Sequence, residues 1–353
     1  MDDVVKSPTV AILLKLIQQT TGKTILQTEL TKRLGIQHPI IQGGMQWIGR
    51  AELVAAVSNA GALGTLTALT QPTPEALRDE IARLRTMTDR PFAVNLTFLP
   101  TLKPVPYAAY RDVIIDCGVK IVETAGNNPS EHMPALKAAG ITVIHKCTTA
   151  RHALKAQQIG VDMVSIDGFE CAGHTGEEDI PGLILIPSAV AKLSIPVIAS
   201  GGFGDGKGLV AALALGAEGI NMGTRFMCTQ ESPAHLNIKQ AIVDNAETDT
   251  ALILRSLRNS SRVARTNLSQ SIIEMEKAGA TIVELGPKIA GAKGRQVYEE
   301  GNVEGGIWTV GMVQGLIHDI PTCAQLVQRI VDEAEAIIEQ RLLRLIGKID
   351  QCA

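Results

Sequence analysis

The sequence predicts a (β/α)8 TIM barrel, in which eight parallel strands alternate with helices. Apolar, β-branched runs of strand length recur between residues 39 and 226, and segments with helical periodicity separate them. A doubly wound open sheet would also alternate, but eight such units match the usual size of a barrel better. The predicted strands are 39–44, 63–67, 92–97, 120–124, 142–146, 163–167, 196–200 and 219–223.

The intervening helices are predicted from apolar residues that recur with the period of an α-helix. The clearest segments are 51–60, 74–86, 150–159 and 208–215. Several of them end at a glycine just beyond the last periodic residue, as expected at a helix C-terminus.

After the eighth strand the alternation of strand and helix segments ends. The chain divides into four predicted regions. Charge-rich helical segments follow the eighth strand, and we expect them to form a small second domain with the C-terminal helices. The regions are an N-terminal helical extension (1–30), the barrel (31–230), a helical insertion on the substrate side (231–305) and C-terminal helices packing on the barrel (306–353).

Composition excludes several classes of protein. With 353 residues, 45% of them hydrophobic, the chain can bury a large core. A formal net charge of -3 without a basic cluster argues against a nucleic-acid partner. The cysteines lie far apart, which predicts neither a zinc site nor a disulfide framework. The separated cysteines fit a reducing cytoplasm, and the apolar run 10–17 is too short, and at Lys15 too polar, for a membrane span. We therefore expect a cytoplasmic protein with no membrane association.

Polar and glycine residues gather at the carboxyl ends of seven of the predicted strands, the rim where barrel active sites lie. A single such residue is more often a turn former or a cap, but seven strands together favour a site. The residues include Gln42, Gly44, Met45, Asn95, Thr97, Glu123, Thr124, His145, Lys146, Asp167, Ser200 and Asn221.

Two glycine-containing loops predict a phosphate site. Gly201 and Gly202 follow the seventh strand and precede a helix over 205–216, and Gly223 with Thr224 follows the eighth strand. Barrels often bind phosphate at these loops, on backbone amides at a helix N-terminus. The alternative is that the glycines only form tight turns. The leading inference is a ligand or cofactor that carries a phosphate.

Lys146 and His174 are the candidates for chemistry. Lys146 ends the fifth strand, where its ammonium group would neutralise phosphate or negative charge on an electron-accepting ring; a surface lysine is the alternative. His174 lies in a loop of small residues, free to swing towards a ligand as acid, base or hydrogen-bond donor, or held by a backbone carbonyl. Asp167 and Glu170 are placed to hold ligand hydroxyls or to orient His174. No catalytic triad and no metal-ligand spacing is readable.

Taken in order, the motifs resemble the nitronate monooxygenase superfamily, formerly called 2-nitropropane dioxygenases, and within it the FMN-dependent NADH:quinone reductase branch. The resemblance covers nearly everything from His38 to the last helix. The matching segments are HPIIQGGMQW (38–47), NLTFLPT (95–101), IHKC (144–147), DGFECAGHTG (167–176), ASGGF (199–203), NMGTRF (221–226), SLRN (256–259) and GIWTVGMVQG (306–315).

The resemblance implies an FMN barrel with a defined set of cofactor contacts. The phosphate would lie on the loops of Gly201, Gly202, Gly223 and Thr224. The ring would rest near Gly44, Met45, Asn95, Thr97 and Lys146, with Asp167 and Gly173 also binding the cofactor. His174 would face the flavin, as the base in nitronate oxidation or for binding and proton delivery in the reductase branch.

The loop after the third strand favours the reductase branch. Its prolines stiffen it, and the resemblance makes Pro100, Thr101 and Leu102 a gate over the NADH site. The resemblance thus implies hydride transfer from NADH or NADPH to FMN N5, followed by two-electron reduction of a quinone. The alternatives are oxidation of alkyl nitronates with O2 and a flavin-free lyase or isomerase acting on a phosphorylated substrate. The assembly stays open, with a homodimer as one option.

A basic stretch in the insertion has two interpretations. Arg255, Arg258, Arg262 and Arg265 recur at helical spacing, which is typical of a solvated face or a salt-bridge network. Alternatively, some of these arginines approach the phosphates of the dinucleotide.

Overall fold

Eight parallel strands form a barrel, which confirms the predicted fold. The structure is a computed structural model and describes residues 26–99, 104–289 and 291–345. The barrel strands are β1 (Ile40–Gln42), β2 (Gly64–Thr67), β3 (Phe92–Phe98), β4 (Ile121–Gly126), β5 (Thr142–Cys147), β6 (Met163–Asp167), β8 (Val197–Ser200) and β9 (Ile220–Met222). From β2 to β9, each barrel strand pairs with the next barrel strand along the chain. Strand β1 closes the ring, because it pairs with β9 on one side and forms a bridge from Ile41 to Leu63, next to β2, on the other.

Helices follow the barrel strands and cover their outer face. Those before and within the barrel are α1 (Glu29–Leu34), α2 (Ala51–Asn59), α3 (Pro74–Arg85), α4 (Tyr107–Asp116), α5 (Met133–Ala138), α6 (Ala150–Gln158), α7 (Gly182–Val190), α8 (Gly206–Ala214) and α9 (Thr224–Met227). Those after it are α10 (Leu236–Asp244), α11 (Asn267–Lys277), α12 (Ile282–Ile289), α13 (Gly291–Glu300), α14 (Cys323–Ala336) and α15 (Leu343–Leu345), with a π-helical turn at Ile337–Leu342. In the part of the chain that the structure describes, no helix combines the length and the apolar character needed to cross a membrane.

Helix α1 closes the amino-terminal end of the barrel. Its Leu30 and Leu34 belong to one buried cluster with inward-facing strand residues, among them Ile41, Ile121 and Ile198. The helix also crosses the predicted region boundary at residue 30, and the Thr28 hydroxyl before it donates to the Glu218 carbonyl at 2.7 Å. With this end filled by apolar side chains, the opposite rim is left for ligands.

A small antiparallel sheet lies within the predicted helical insertion. It joins β10 (Thr250–Ile253), β11 (Ser261–Ala264) and β7 (Gly173–His174), a short strand from the loop after β6. The helical spacing inferred for residues 255–265 is therefore wrong. Ala251 and Val263 face each other across the hairpin and are buried, but Arg262 is buried as well, which hides the alternation of a strand.

The C-terminal helix α14 packs on the outside of the barrel against α8 and α2. Its buried face carries Leu326, Ile330 and Ala334, residues at helical spacing. Thr322 caps its first turn in a reciprocal pair with Gln325.

We expect Leu30→Ala to destabilise the protein by about 2–5 kcal/mol, because the fully buried side chain would leave a cavity in the floor of the barrel. Urea unfolding measures the loss. Leu236→Ala is the control, since Leu236 is 63% exposed, and it should change stability little. Equal effects of the two variants would contradict the role given to α1.

Candidate active site

A cavity of about 1100 Å3 opens at the carboxyl-terminal rim of the barrel. The lining includes every predicted site residue that the structure describes: Gly44, Met45, Asn95, Thr97, Lys146, Asp167, Gly173, His174, Gly201, Gly202, Gly223 and Thr224. The predicted gate residues Pro100, Thr101 and Leu102 lie outside the described residues. The twelve residues come from separate strand ends, so the barrel is what brings them together.

Lys146 provides a fixed positive charge at the base of the cavity. Its Nζ lies 3.0 Å from Asp167 Oδ1, on the neighbouring strand, and donates to Ser200 Oγ at 3.5 Å. Burial alone would lower the pKa of Lys146, but the carboxylates of Asp167 and Glu123 outweigh it and raise the pKa above its ordinary value. The side chain points into the cavity and is not a surface lysine.

Glu123 is the buried centre of the rim. Its Oε1 accepts hydrogen bonds from the Gly44 amide at 2.9 Å and from Asn95 Nδ2 at 2.8 Å, and its Oε2 accepts one from Asn221 Nδ2 at 3.0 Å. One carboxylate thus fixes groups that follow or lie on β1, β3 and β9. The sequence pattern marks Glu123 only as a polar residue at a strand end and predicts no role for it. Its role could have been inferred from the sequence, because Glu123 is an acidic residue in an otherwise apolar strand. A buried carboxylate needs several hydrogen-bond donors around it.

Two glycines of the cavity wall leave room for a ligand. At Gly223 the backbone has φ -105°, which does not require glycine, and an added Cβ would contact only Met45, with Sδ at 3.5 Å. At Gly173 an added Cβ would contact only Thr309 Cγ2, at 3.9 Å. A side chain at either position would therefore enter the cavity.

The turn after β8 exposes backbone donors. Gly201 and Gly202 both have positive φ, +83° and +85°, a conformation that favours glycine. Among the hydrogen bonds of the described residues, none has the amide of Gly202, Phe203 or Gly204 as its donor. Successive free amides of this kind form a surface suited to an anion.

The N-terminus of helix α8 itself is already occupied. Asp205 Oδ1 accepts from the Gly208 amide at 2.8 Å, and Glu333 Oε2 from α14 accepts from the Gly206 amide at 2.8 Å. The sequence pattern predicts an anion at this helix end. The structure instead leaves free the turn that precedes it, because two carboxylates already satisfy the helix.

His174 faces the cavity from a strand. Its backbone pairs with Ser261 of β11, so the predicted freely swinging loop is wrong for this residue. The His174 side chain is exposed at the cavity, and partial desolvation by the surrounding protein lowers its pKa, whereas Asn259 and the charge of Glu177 act in the opposite direction. His174 is therefore mainly neutral at pH 7.

Arg262 holds the loop that carries His174. Its buried guanidinium donates to the carbonyls of Cys171 at 3.1 Å and Phe169 at 2.8 Å, and it stacks over the Phe169 ring. Burial lowers the pKa of Arg262. Arg262 is thus a structural residue and does not reach a ligand. Glu170 is also structural, because both of its carboxylate oxygens accept from the Gly182 amide at the start of α7.

The buried side chain of His145 makes the stability of the protein depend on pH. Its buried ring lies with Nδ1 2.8 Å from Thr124 Oγ1, and burial lowers its pKa from 6.5 to about 4. Between these pH values the unfolded chain binds a proton that the native state does not, so stability falls as pH drops from about 6.5 to about 4. We expect the wild type to lose about 2 kcal/mol more than His145→Asn between pH 7 and pH 5.

Denaturant unfolding of both proteins at the two pH values measures this difference, with the variant as the control for all other titrating groups. An identical pH dependence of the wild type and the variant would show that the pKa of His145 is the same in the native and unfolded states.

Comparison with known relatives covers most of the chain. Two proteins named (3aS,4S,5R,7aS)-5-hydroxy-7a-methyl-1-oxo-octahydro-1H-indene-4-carboxyl-CoA dehydrogenase, from Rhodococcus jostii and Mycobacterium tuberculosis, are 34% and 33% identical, over 88% of this chain and 96% of each relative. A probable nitronate monooxygenase from Staphylococcus haemolyticus is 37% identical over 63% of this chain and 73% of the relative.

Solved structures show the same architecture. FabK from Thermotoga maritima superimposes with a TM-score of 0.84 at 36% identity, covering 90% of this chain and 98% of its own. Nitroalkane oxidase from Streptomyces ansochromogenes, at 24% identity and a TM-score of 0.74, shares the fold. The family model described as nitronate monooxygenase matches residues 27–333. The chain therefore belongs to the nitronate monooxygenase family and is a flavin-dependent oxidoreductase.

Proposed function

We propose that the flavin is FMN and that the enzyme transfers two electrons from NADH or NADPH to a quinone. In balance, NAD(P)H, one proton and a quinone give NAD(P)+ and the hydroquinone. FMN, when bound, supplies the two-electron carrier. The chain's residues bind it, orient the two substrates and hold the compensating charge.

The donor set fits FMN. The free amides at Gly202 to Gly204 suit its phosphate, and the open space at Gly223 lets the cofactor approach the backbone. Lys146, which its carboxylate neighbours keep protonated, would stabilise negative charge on the reduced ring.

The size of the cavity is the observation that carries the proposal. Its volume of about 1100 Å3 exceeds the range of about 300–1,000 Å3 that is usual for one drug-sized ligand. This volume leaves room for a second planar ring beside a bound flavin, as a nicotinamide or a quinone would supply.

Two other activities are each favoured by one observation. The lowered pKa of His174 leaves a neutral imidazole at pH 7, as a base for nitronate oxidation requires. The two relatives that match this chain over 96% of their own length are named as dehydrogenases of a CoA thioester. An acyl-CoA is therefore a third class of substrate for the same cavity.

Anaerobic mixing separates these activities. We expect NADH or NADPH to bleach the absorbance of the oxidised flavin and a quinone to restore it, with one hydroquinone formed per nucleotide consumed. The proposal is wrong if both nucleotides leave the flavin oxidised while propyl nitronate or an acyl-CoA reduces it.

A substitution at Gly223 tests the cofactor site. We expect Gly223→Val to fold but to bind FMN at least about 10-fold more weakly, because the new side chain would occupy the cavity. Quenching of FMN fluorescence gives the affinity, and circular dichroism checks the fold. Gly286→Val is the control, since Gly286 in α12 also has open space around it but does not line the cavity. Unchanged FMN affinity in Gly223→Val would rule out the cofactor position.

A further inference from the structure

The turn between β10 and β11 holds Arg258 at the cavity. Its backbone closes on itself, with the Arg258 amide donating to the Arg255 carbonyl at 3.1 Å and the Asn259 amide donating to the Leu254 carbonyl at 3.1 Å. Glu276 fixes the turn from α11, because its carboxylate accepts from the amides of Leu254 at 2.8 Å and Ser256 at 3.0 Å. The turn is therefore a rigid platform, and Arg258 lines the cavity from it.

Arg258 differs from the other arginines of the basic stretch. Arg255 forms a two-bond ion pair with Asp179, Arg262 is buried against the loop after β6, and Arg265 donates to the carbonyls of Thr248 and Thr250. Within residues 26–99, 104–289 and 291–345, the guanidinium of Arg258 has no ion pair and no hydrogen bond. Three arginines are committed to the fold, and the fourth is available to a ligand.

The backbone around Arg258 is strained. Four non-glycine residues of the described chain have positive φ, and three belong to this turn or its ion-pair partner: Leu254 (62°), Arg258 (52°) and Asp179 (50°). An arginine in the left-handed region costs folding free energy, and such residues cluster at functional sites. The hydrogen bonds of the turn maintain this conformation. A strained backbone that is kept in place is consistent with a function for the Arg258 side chain at the cavity.

The neighbours of Arg258 connect it to the proposed chemistry. Ser261, three residues further on, pairs with His174 in the small antiparallel sheet, and Ser260 binds the Glu177 carboxylate through its amide at 2.8 Å and its hydroxyl at 2.7 Å. Arg258 therefore lies on the His174 side of the cavity. Lys146, the cation at the base of the cavity, is already paired with Asp167.

We propose that Arg258 binds the pyrophosphate of the nicotinamide dinucleotide and thereby positions the nicotinamide ring at the flavin. This rests on the proposed function. The planar guanidinium can donate two parallel hydrogen bonds to phosphate oxygens, and its charge compensates theirs. An exposed site at the mouth suits the charged, hydrated part of the dinucleotide, while the ring enters the cavity.

The variant that tests this is Arg258→Asn, because asparagine tolerates positive φ better than most residues and should keep the turn folded. We expect about a 10-fold higher KM for the nucleotide that the enzyme uses, with little change in kcat, and about a 10-fold weaker binding of ADP-ribose to the FMN-loaded protein by calorimetry. Arg258→Lys should recover part of both. The melting temperature of Arg258→Asn should equal or exceed that of the wild type.

A phosphate-free donor provides the internal control. We expect 1-benzyl-1,4-dihydronicotinamide to reduce the wild type and Arg258→Asn equally well, because it has no pyrophosphate. Arg255→Gln, which removes a charge of the same turn that is bound to Asp179, should leave the KM for the nucleotide unchanged. The inference is overturned if Arg258→Asn leaves nucleotide KM and ADP-ribose affinity unchanged, or if it impairs the phosphate-free donor as much as the nucleotide. If the wild type is reduced by neither donor, the proposed function fails, and the ADP-ribose measurement still decides the role of Arg258.

Discussion

The rim of the barrel depends on a buried negative charge. Glu123 satisfies its carboxylate with the Gly44 amide, Asn95 and Asn221, which fixes the residues around the mouth of the cavity at three strands. Asp167 adds a second buried carboxylate, and Lys146 is the ammonium that both act on. The two carboxylates hold Lys146 in its charged form. The base of the cavity therefore carries an ammonium group next to the carboxylates of Asp167 and Glu123. A ligand phosphate is therefore better placed on the neutral amides at Gly202 to Gly204.

The small antiparallel sheet makes the barrel and the insertion one functional unit. Strand β7 leaves the barrel after β6 and pairs with β11 of the insertion. Arg262 from the insertion then binds carbonyls of the barrel loop, and Glu177 from that loop binds Ser260. His174 lies on the shared strand, so its position relative to the strand ends depends on both parts. The insertion thereby takes part in building the site as well as covering it.

The barrel and the strand-end residues could be predicted because their signal is periodic and local. Strands such as LGTLT (63–67) and IVET (121–124) read as buried, and their polar ends fall on one rim by topology alone. The hairpin at Thr250–Ile253 and Ser261–Ala264 could not be predicted, because its one buried charge, Arg262, has partners 91 and 93 residues away in the chain. The occupation of the α8 N-terminus by Glu333 was hidden for the same reason, since that carboxylate comes from a helix 127 residues later.

The two ends of the barrel divide stability from function. At the amino-terminal end α1 and the inner strand residues form an apolar floor. At the other end lie the buried carboxylates, the neutral histidines and the residues with positive φ, features that cost folding free energy. The apolar floor and the helices packed around the strands offset that cost. Family members with other substrates can therefore share this barrel, because changes at the mouth, such as the turn that carries Arg258, alter the ligand without altering the core.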